Sequence, residues 1–381
     1  MAFAAGWSVD VQRVVIKLGS SLVLDAQTRA LNMPFLYAVS RDVSDLLNQD
    51  IQCVIVSSGA VGLGRPRLGL TASGLTLNQR QAAAAAGQTV LVQGWERAFE
   101  PHGVPVAQAL LTYGDIERRR SWLNARSTLR ELVGCGAVPV INENDTVSTE
   151  ELRFGDNDRL AARVAQMISA DLLILLSDVP GVCTADPRHD PNATLIEDIS
   201  EITPQIEALA GGAGASGVGT GGMATKIAAA RIAGSAGCTT LIASGRVDHP
   251  VMAAAQRGGG SCIRPSVDAG SSRQAWIAGA LEPVGRLVLD SGAVKAVLSG
   301  KSLLPVGLKA ASGGFNRGDV VRLDDEAGQM IGKGVVGYDV EEVRRIAGLK
   351  TDSVEAELGY RRGSAVVHCE DLVLAAPAKP G

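Results

Sequence analysis

The sequence predicts an α/β protein with a mainly parallel sheet sandwiched by helices, followed by a small β-rich C-terminal domain. Up to about Cys262, short runs of Val, Ile and Leu alternate with amphipathic segments of helical length. Strands that are apolar on both faces and separated by helices are typical of a parallel sheet covered on both sides. After Cys262 the pattern changes to short strands separated by turns. The 381 residues also exceed what one hydrophobic core usually serves, which favours two domains.

The predicted elements of the first part follow one another in strand–helix order. Its strands are short β-branched runs, and its helices are longer segments with helical apolar spacing. We predict strands at 14–16, 54–56, near 104–106, 138–141, 172–176 and 239–243, and helices at 36–47, 79–99, around 123–133, 159–168 and 225–233. In a sheet of this kind ligands bind at the carboxyl ends of the strands, so the loops at those ends are the first place to look for a site.

The C-terminal part has its own pattern of short strands with one helix. We predict strands at 287–289, 304–306, 320–323, 331–336 and 365–367, and a helix near 340–346. The domain boundaries that follow are 1–262 for the first domain, 263–282 for a connection with a short helix, and 283–375 for the second domain. The Pro- and Ala-rich tail at 376–381 is expected to be frayed.

Composition and charge exclude several classes of protein. A net charge of −4 gives no general attraction to nucleic acid or anionic membranes, and 3% aromatic residues disfavour base-stacking surfaces. The six cysteines form no C-x-x-C pair and no zinc-finger spacing, so we expect reduced thiols in a cytoplasmic protein. The longest clean apolar stretch, 172–176, is too short to span a bilayer, and charged residues interrupt the N-terminus before a signal-peptide core can form.

Two glycine- and serine-bearing turns follow predicted strands and are candidate phosphate sites. Lys17 ends the first strand and is followed by Gly19, Ser20 and Ser21, while residues 57–62 repeat the pattern after the second strand. Glycines let backbone N–H groups approach an anion, but tight strand-to-helix turns need glycine for structural reasons as well. A lysine at a position where burial is costly favours the anion site.

Two polar, acidic clusters lie in loops, at 142–145 after a strand and at 155–158 at the start of a helix. A solvated turn is the alternative for the first cluster, and helix capping by Asp156 or Asp158 is the alternative for the second. Together the two clusters could form a pocket that holds an ammonium group and hydrogen-bonds a carboxylate.

A third candidate is the glycine-rich segment 211–226, which leads into a helix with Lys226 in its first turn. A flexible linker is the alternative, but mobile glycine-rich loops also close over nucleotide phosphates. Residues 217–222 match G-x-G-x-x-G without a preceding strand, so the dinucleotide-binding interpretation fails. Residues 299–302 end like a P-loop, but Lys295 stands where the first glycine should be.

These pieces, in this order, resemble the amino acid kinase superfamily, and most closely its glutamate 5-kinase family. The C-terminal domain resembles the PUA domain that many bacterial members of that family carry. The matching segments lie at 14–23, 54–64, 139–147, 154–162, 175–188 and 219–230. The resemblance implies the amino acid kinase fold and the ATP-dependent phosphorylation of the γ-carboxylate of L-glutamate to L-glutamyl 5-phosphate, the first step of proline biosynthesis.

The resemblance also implies a role for individual residues. Lys17 and Lys226 would hold the transferring phosphoryl group, with Asp158 orienting both lysines. Ser58, Asp145 and Asn157 match glutamate-binding positions, and we add Asn142 and Asp156 to the substrate site. The implied nucleotide-binding residues are Lys17, Ser177, Asp178, Thr220, Gly221, Gly222, Met223, Ala224, Thr225 and Lys226. The family often has Thr at Ser57 and Gln/Lys at Val179-Pro180, and the second departure could alter the rim around the base.

The chemistry implied by the resemblance needs no general base. A glutamate side chain has a pKa of about 4.3 and is already a nucleophilic carboxylate at neutral pH. We therefore expect the four histidines to be dispensable surface residues. The enzyme must align two anions and neutralise charge on the transferred group. Mg²⁺ is expected to bind to the ATP phosphates, and we assign it no protein ligands.

The family further implies feedback inhibition by proline, transfer of the product to glutamate 5-semialdehyde dehydrogenase, and a homodimer or homotetramer. A kinase for another carboxylate or amino acid remains the alternative within the enzyme class. RNA binding through the PUA-like domain is the alternative from another class, and we do not expect it, because acidic residues roughly offset the basic ones in 283–375.

Overall fold

The computed structural model describes residues 3–71, 74–148, 157–187, 189–211, 222–266, 283–360 and 363–375. The chain divides into two compact units, Met1–Ala269 and Gly270–Gly381. Most of the predicted connection at 263–282, including its short helix, and the whole predicted tail at 376–381 lie outside the described residues. No helix among the described residues has the length and apolar character that a membrane span requires.

The first unit contains eight strands and ten α-helices in its described part. The strands are β1 (Arg13–Leu18), β2 (Gln52–Ser57), β3 (Val106–Leu111), β4 (Val138–Glu143), β5 (Leu172–Ser177), β6 (Asp198–Ile199), β7 (Thr239–Ser244) and β8 (Gly260–Ile263). The helices are α1 (Ser20–Val23), α2 (Met33–Leu47), α3 (Ala60–Arg67), α4 (Leu77–Phe99), α5 (Tyr113–Glu117), α6 (Arg119–Gly134), α7 (Asn157–Ile168), α8 (Pro204–Leu209), α9 (Met223–Gly234) and α10 (Pro250–Ala254).

The eight strands form one sheet in the order β3-β4-β2-β1-β5-β7-β8-β6. Every neighbouring pair is parallel except β7 and β8, which are antiparallel. Two apolar cores cover the two faces of the sheet, one containing residues of α2 and α4 and the other containing residues of α6, α7 and α9. The predicted mainly parallel sheet sandwiched by helices is confirmed. The strand predicted near 104–106 begins only at Val106, after Pro105.

Helices α3 and α4 cross at two glycines. A Cβ atom on Gly64 would lie 1.7 Å from the carbonyl oxygen of Ala83, and one on Gly87 would lie 1.8 Å from the carbonyl oxygen of Ala60. Any side chain at either position would therefore push the helices apart. Since α3 starts directly after the Ser58-Gly59 turn, this crossing fixes the position of that turn.

The second unit is a five-stranded sheet with three helices in its described part. Its elements are β9 (Gly285–Leu289), α11 (Ser291–Leu298), β10 (Leu308–Gly313), β11 (Val320–Asp324), β12 (Met330–Val336), α12 (Val340–Ile346), α13 (Val354–Leu358) and β13 (Val367–Leu374). The strand order is β10-β9-β11-β12-β13, and the β11–β9 pair alone is parallel in this part of the structure. The β-rich second domain and the helix at 340–346 are confirmed.

Three details of the second unit correct the sequence interpretation. The strand predicted at 304–306 is wrong, because Pro305–Gly307 forms a 3₁₀ turn and the strand starts at Leu308. Pro305 has a fixed φ and no N–H for a sheet ladder, which explains the difference. Helix α11 was not predicted, although Asp290 caps it by accepting a hydrogen bond from Ala293 N at 2.7 Å. The last strand begins at Val367, where the predicted one ended.

Candidate active site

A buried carboxylate lies between two lysines at the carboxyl ends of the central strands. Lys17 Nζ lies 2.5 Å from Asp158 Oδ1, and Lys226 Nζ lies 3.1 Å from Asp158 Oδ2. The exposed fractions are 4% for Lys17, 0% for Asp158 and 3% for Lys226. Thr225 Oγ1 also donates to Asp158 Oδ2, at 2.8 Å. The three charged groups together carry one net positive charge, which suits an anionic ligand.

The fold explains why these residues meet although they are far apart in sequence. Lys17 lies in β1, between β2 and β5 in the middle of the sheet. Asp158 lies in the first turn of α7 and Lys226 in the first turn of α9, and these two helices pack on each other over the same face of the sheet. The two helices therefore begin side by side, directly above Lys17.

The pKa of Asp158 records the balance between burial and the two lysines. Burial on its own would raise the pKa, but the charges of Lys17 and Lys226 and the hydrogen bonds from Lys17 and Thr225 hold it below its ordinary value. Asp158 therefore stays ionised at neutral pH. It can hold both ammonium groups in place while a ligand binds to their other sides.

The turn after β2 brings backbone N–H groups and a hydroxyl to the same place. Gly59 has a φ of +115° and precedes the first residue of α3, a conformation that a residue with a side chain rarely adopts. The backbone N–H of Ser58 donates to Leu18 O at 3.2 Å and ties this turn to the end of β1. The positive φ of this turn therefore explains why glycine stands at position 59, and the turn also lines the cleft.

A cavity of about 540 Å³ joins these groups into one cleft. Its lining includes both lysines and the turns at Gly19 and Gly59, together with Arg29 and Arg65, which the sequence analysis did not single out. The predicted residues that line it are Lys17, Ser58, Asn142, Asp145, Asn157, Ser177, Asp178 and Lys226. Residues predicted from separate segments of the sequence thus share one cavity.

The remaining predicted residues divide into three groups. Asp158 lies below the floor of the cleft, and Thr225 contacts it. Gly222 is the N-cap of α9, Met223 and Ala224 are its first two residues, and Met223 packs against the apolar core. Asp156, Thr220 and Gly221 lie outside the described residues. Within the predicted glycine-rich segment 211–226, residues 212–221 lie outside the described residues.

Three polar side chains along one wall of the cleft, together with Gln88 behind them, form a hydrogen-bonded chain. Asn157 Nδ2 donates to Ser58 Oγ at 2.8 Å and to Asn142 Oδ1 at 2.9 Å. Asn142 Nδ2 donates in turn to Gln88 Oε1 at 2.9 Å. The sequence analysis missed Gln88. The available signal was its place in α4, where Ala84, Gln88, Leu91 and Trp95 form the buried face of the helix and Gln88 alone is polar.

The four histidines take no part in the cleft lining given by the described residues. His249 contacts the buried Asp42 at 2.7 Å, and Asp42 also accepts hydrogen bonds from the first backbone N–H groups of α10. Asp42 thus caps the start of α10, and neither Asp42 nor His249 lines the cleft. His102, His189 and His368 are exposed.

Comparison with known proteins assigns both units to families. Residues 12–244 match the amino acid kinase family and residues 285–358 match the PUA domain. A glutamate 5-kinase of Caulobacter vibrioides (strain NA1000 / CB15N) is 55% identical over 365 residues, which cover 96% of this chain and 97% of that protein. Glutamate 5-kinase 1 of Rhizobium meliloti (strain 1021) is 50% identical over 369 residues, covering 97% and 93%. Among solved structures, a UMP kinase from Bacillus anthracis is 15% identical over 68% of this chain, with a TM-score of 0.48.

The match to the amino acid kinase family spans more than half of the chain, and the relatives cover nearly its whole length at half identity or more. The chain therefore belongs to the amino acid kinase family and, within it, to the glutamate 5-kinase family, with a PUA domain in its second unit.

Proposed function

We propose that this chain transfers the γ-phosphoryl group of ATP to the side-chain carboxylate of L-glutamate, forming L-glutamyl 5-phosphate in the first step of proline biosynthesis. The family and its near-full-length glutamate 5-kinase relatives support the reaction. The structural observation that carries the proposal is the pair of buried lysines on Asp158, at the floor of a cleft lined by hydroxyl and amide groups.

In the proposed mechanism a carboxylate oxygen of glutamate attacks the γ-phosphorus, and the bond from that phosphorus to the β,γ-bridging oxygen breaks. The electron pair leaves with ADP, and no proton has to be moved. Lys17 and Lys226 neutralise the charge that spreads over the transferred group, and Asp158 keeps their ammonium groups in position. Because both lysines are almost fully buried, their charges act in a medium that screens them weakly.

The proposal assigns glutamate to the wall formed by Ser58, Asn142, Asn157 and Asp145, with Asp156 as a further candidate. Asn157 and Ser58 can hydrogen-bond a carboxylate or an ammonium group, and Asp145 adds a negative charge for the ammonium group. Their contacts with one another and their place in the cleft support this assignment.

The proposal assigns ATP to the other side of the two lysines. Ser177 ends β5, Asp178 follows it, and both line the cleft, which supports a contact with adenosine. Residues 220–226 would cover the phosphates. Val179 and Pro180 would contribute to the rim around the base. Among the described residues no three His, Cys, Asp or Glu side chains converge on a metal site, and Asp158 is held by two lysines. We assign Mg²⁺ to the phosphates of ATP, as part of the nucleotide substrate, because Mg²⁺ keeps several waters and binds mainly through substrate phosphates in enzymes of this kind.

Family membership supports three further proposals. Proline would inhibit at or near the glutamate site, a homodimer or homotetramer would form, and the unstable acyl phosphate would pass to glutamate 5-semialdehyde dehydrogenase in the cytoplasm. A kinase for a different carboxylate is the competing function.

An ATP-dependent hydroxamate assay tests the proposed function. Hydroxylamine traps an acyl phosphate, so the purified chain should form hydroxamate with L-glutamate and ATP. It should form far less with aspartate or N-acetylglutamate, and proline should reduce the signal with glutamate. ADP formation that does not depend on glutamate, or a clear preference for another acceptor in the same panel, would refute the proposal.

A further inference from the structure

Gln88 is a buried polar residue outside the cleft. It accepts one hydrogen bond from a side chain, and the donor is Asn142, which lines the cleft. Its exposed fraction is 8%, and its Oε1 accepts from Asn142 Nδ2 at 2.9 Å. Its Nε2 has no hydrogen-bond partner among the described residues. A buried donor without a partner is destabilising, so the position of Gln88 is not explained by its own hydrogen bonding.

The direction of each hydrogen bond in the chain from Gln88 to Ser58 depends on the previous one. Asn142 gives its amide N–H to Gln88, and its Oδ1 accepts from Glu143 N and from Asn157 Nδ2, both at 2.9 Å. The acceptor of Gln88 and the backbone N–H of Glu143 therefore favour the same orientation of the Asn142 amide. Asn157 then uses its Nδ2 for Asn142 and Ser58, and its Oδ1 is left as an acceptor.

The last member of the chain faces the cleft. Ser58 Oγ accepts from Asn157, so the hydroxyl proton of Ser58 remains for a ligand. The wall thus presents one donor, the hydroxyl of Ser58, and one acceptor, Oδ1 of Asn157. An α-amino acid matches this pair, since its carboxylate accepts hydrogen bonds and its ammonium group donates them.

We propose that Gln88 is a positioning residue for the amino acid substrate, because the acceptor that it offers, together with the backbone N–H of Glu143, holds Asn142 in the orientation that sets the donor and acceptor pattern of Asn157 and Ser58. This inference rests on the proposed assignment of those two residues to glutamate binding. Gln88 does not line the substrate cleft and acts only through Asn142. It lines a second cavity together with Gln93, and Glu143 and Asp145 line both cavities.

Three variants test this role. Gln88→Met has nearly the same shape without an acceptor, so Asn142 Nδ2 loses its partner and the KM for glutamate should rise about tenfold. The KM for ATP and kcat should stay within about twofold, since no contact to the nucleotide changes. Gln88→Glu offers an acceptor oxygen in either protonation state and should keep the KM for glutamate within about threefold of the wild type. Gln93→Met is the control, because the exposed Gln93 lines the same cavity as Gln88 but does not belong to the series of hydrogen bonds from Gln88 to Ser58.

A double-mutant cycle with Ser58→Ala decides whether the effect travels through the chain of hydrogen bonds. If it does, Gln88→Met should raise the KM for glutamate less than about twofold in the Ser58→Ala background. A full tenfold rise in that background, an unchanged KM in the single Gln88→Met variant, or an equal rise in the KM for ATP would overturn the inference. Thermal unfolding of each variant separates these results from a folding defect. Failure of the wild type to phosphorylate glutamate would instead refute the proposed function.

Discussion

At the scale of single residues, one aspartate organises the site. Asp158 contacts Lys17 with one oxygen and Lys226 and Thr225 with the other, so a single side chain fixes three others. A lysine has a long and flexible stem, and two lysines without a shared anion would repel each other. The pairing therefore holds two positive charges close together before any phosphate binds.

Removal of one of these charges should slow the chemical step. We predict that Lys226→Ala lowers kcat by about 100-fold or more, with a smaller change in the KM for glutamate, because the charge matters most when negative charge develops on the transferred group. Steady-state kinetics with both substrates varied provide the measurement. An unchanged kcat with only a raised KM would mean that Lys226 binds substrate without acting on the reaction.

The lowered pKa of Asp158 predicts a stability that depends on pH. A carboxyl group whose pKa is lower in the folded than in the unfolded state stabilises the fold above its unfolded pKa of about 4. This contribution is lost as the pH falls further, through the folded value. We predict that Asp158→Asn lowers the free energy of unfolding by about 3 kcal/mol or more near neutral pH, because it leaves two buried lysines without an anion.

Urea unfolding of the wild type and the Asp158→Asn variant at several pH values measures this effect. The difference between the two proteins should be constant from pH 5 to 7, roughly, and shrink below about pH 4, where the carboxyl group takes up a proton in the unfolded wild type but stays ionised in the folded one. A difference that grows as the pH falls would contradict the assignment of the lowered pKa.

At the scale of elements, the crossing of α3 and α4 holds the Ser58-Gly59 turn against the end of β1. We predict that Gly64→Ala destabilises the protein by about 2 kcal/mol or more, because the added methyl group would meet the carbonyl oxygen of Ala83 at 1.7 Å. The KM for glutamate should rise as well, since α3 would shift with Ser58 at its start. Gly134→Ala is the matched control in α6, where nothing lies within 4 Å of the added atom. Equal stability of both variants would show that the crossing can relax.

Local patterns in the sequence predicted most elements and most of the cleft. The strands around Lys17 and Ser177 and the helix of Lys226 have strong apolar patterns, and their polar loops lie directly at the strand ends. The apolar spacing of α4 marks Gln88 as a polar residue on a buried face, but its role depends on Asn142, 54 positions away, and no local pattern records that contact. The α3–α4 crossing was missed for the same reason. At 304–306, apolar residues predicted a strand where Pro305 prevents one.

At the scale of the whole molecule, the second unit carries positive charges that are already matched. Asp324 is fully buried in side-chain contact with Arg286 and Arg322, on the neighbouring strands β9 and β11. Each guanidinium group is only partly exposed and shares this carboxylate. The unit therefore offers less positive charge to a phosphate backbone than its count of arginines indicates.

We predict that the full chain does not shift bulk tRNA in a native gel, even at low salt where electrostatic binding is strongest. Asp324→Asn is the informative comparison, because it frees both arginines and should produce weak binding that disappears as salt is added. A salt-sensitive shift with the wild-type chain would show that RNA binding belongs among its functions.

In the proposed reaction Lys17 and Lys226 contact the same phosphoryl group while it moves from ATP to glutamate. A crystal structure with ADP, aluminium fluoride and L-glutamate would show this contact, because the fluoride complex occupies the place of the transferred group. We expect both Nζ atoms within hydrogen-bonding distance of that complex, with the glutamate side chain in line behind it. Ammonium groups that contact different ligands, or a glutamate bound away from Ser58 and Asn157, would refute the proposed mechanism.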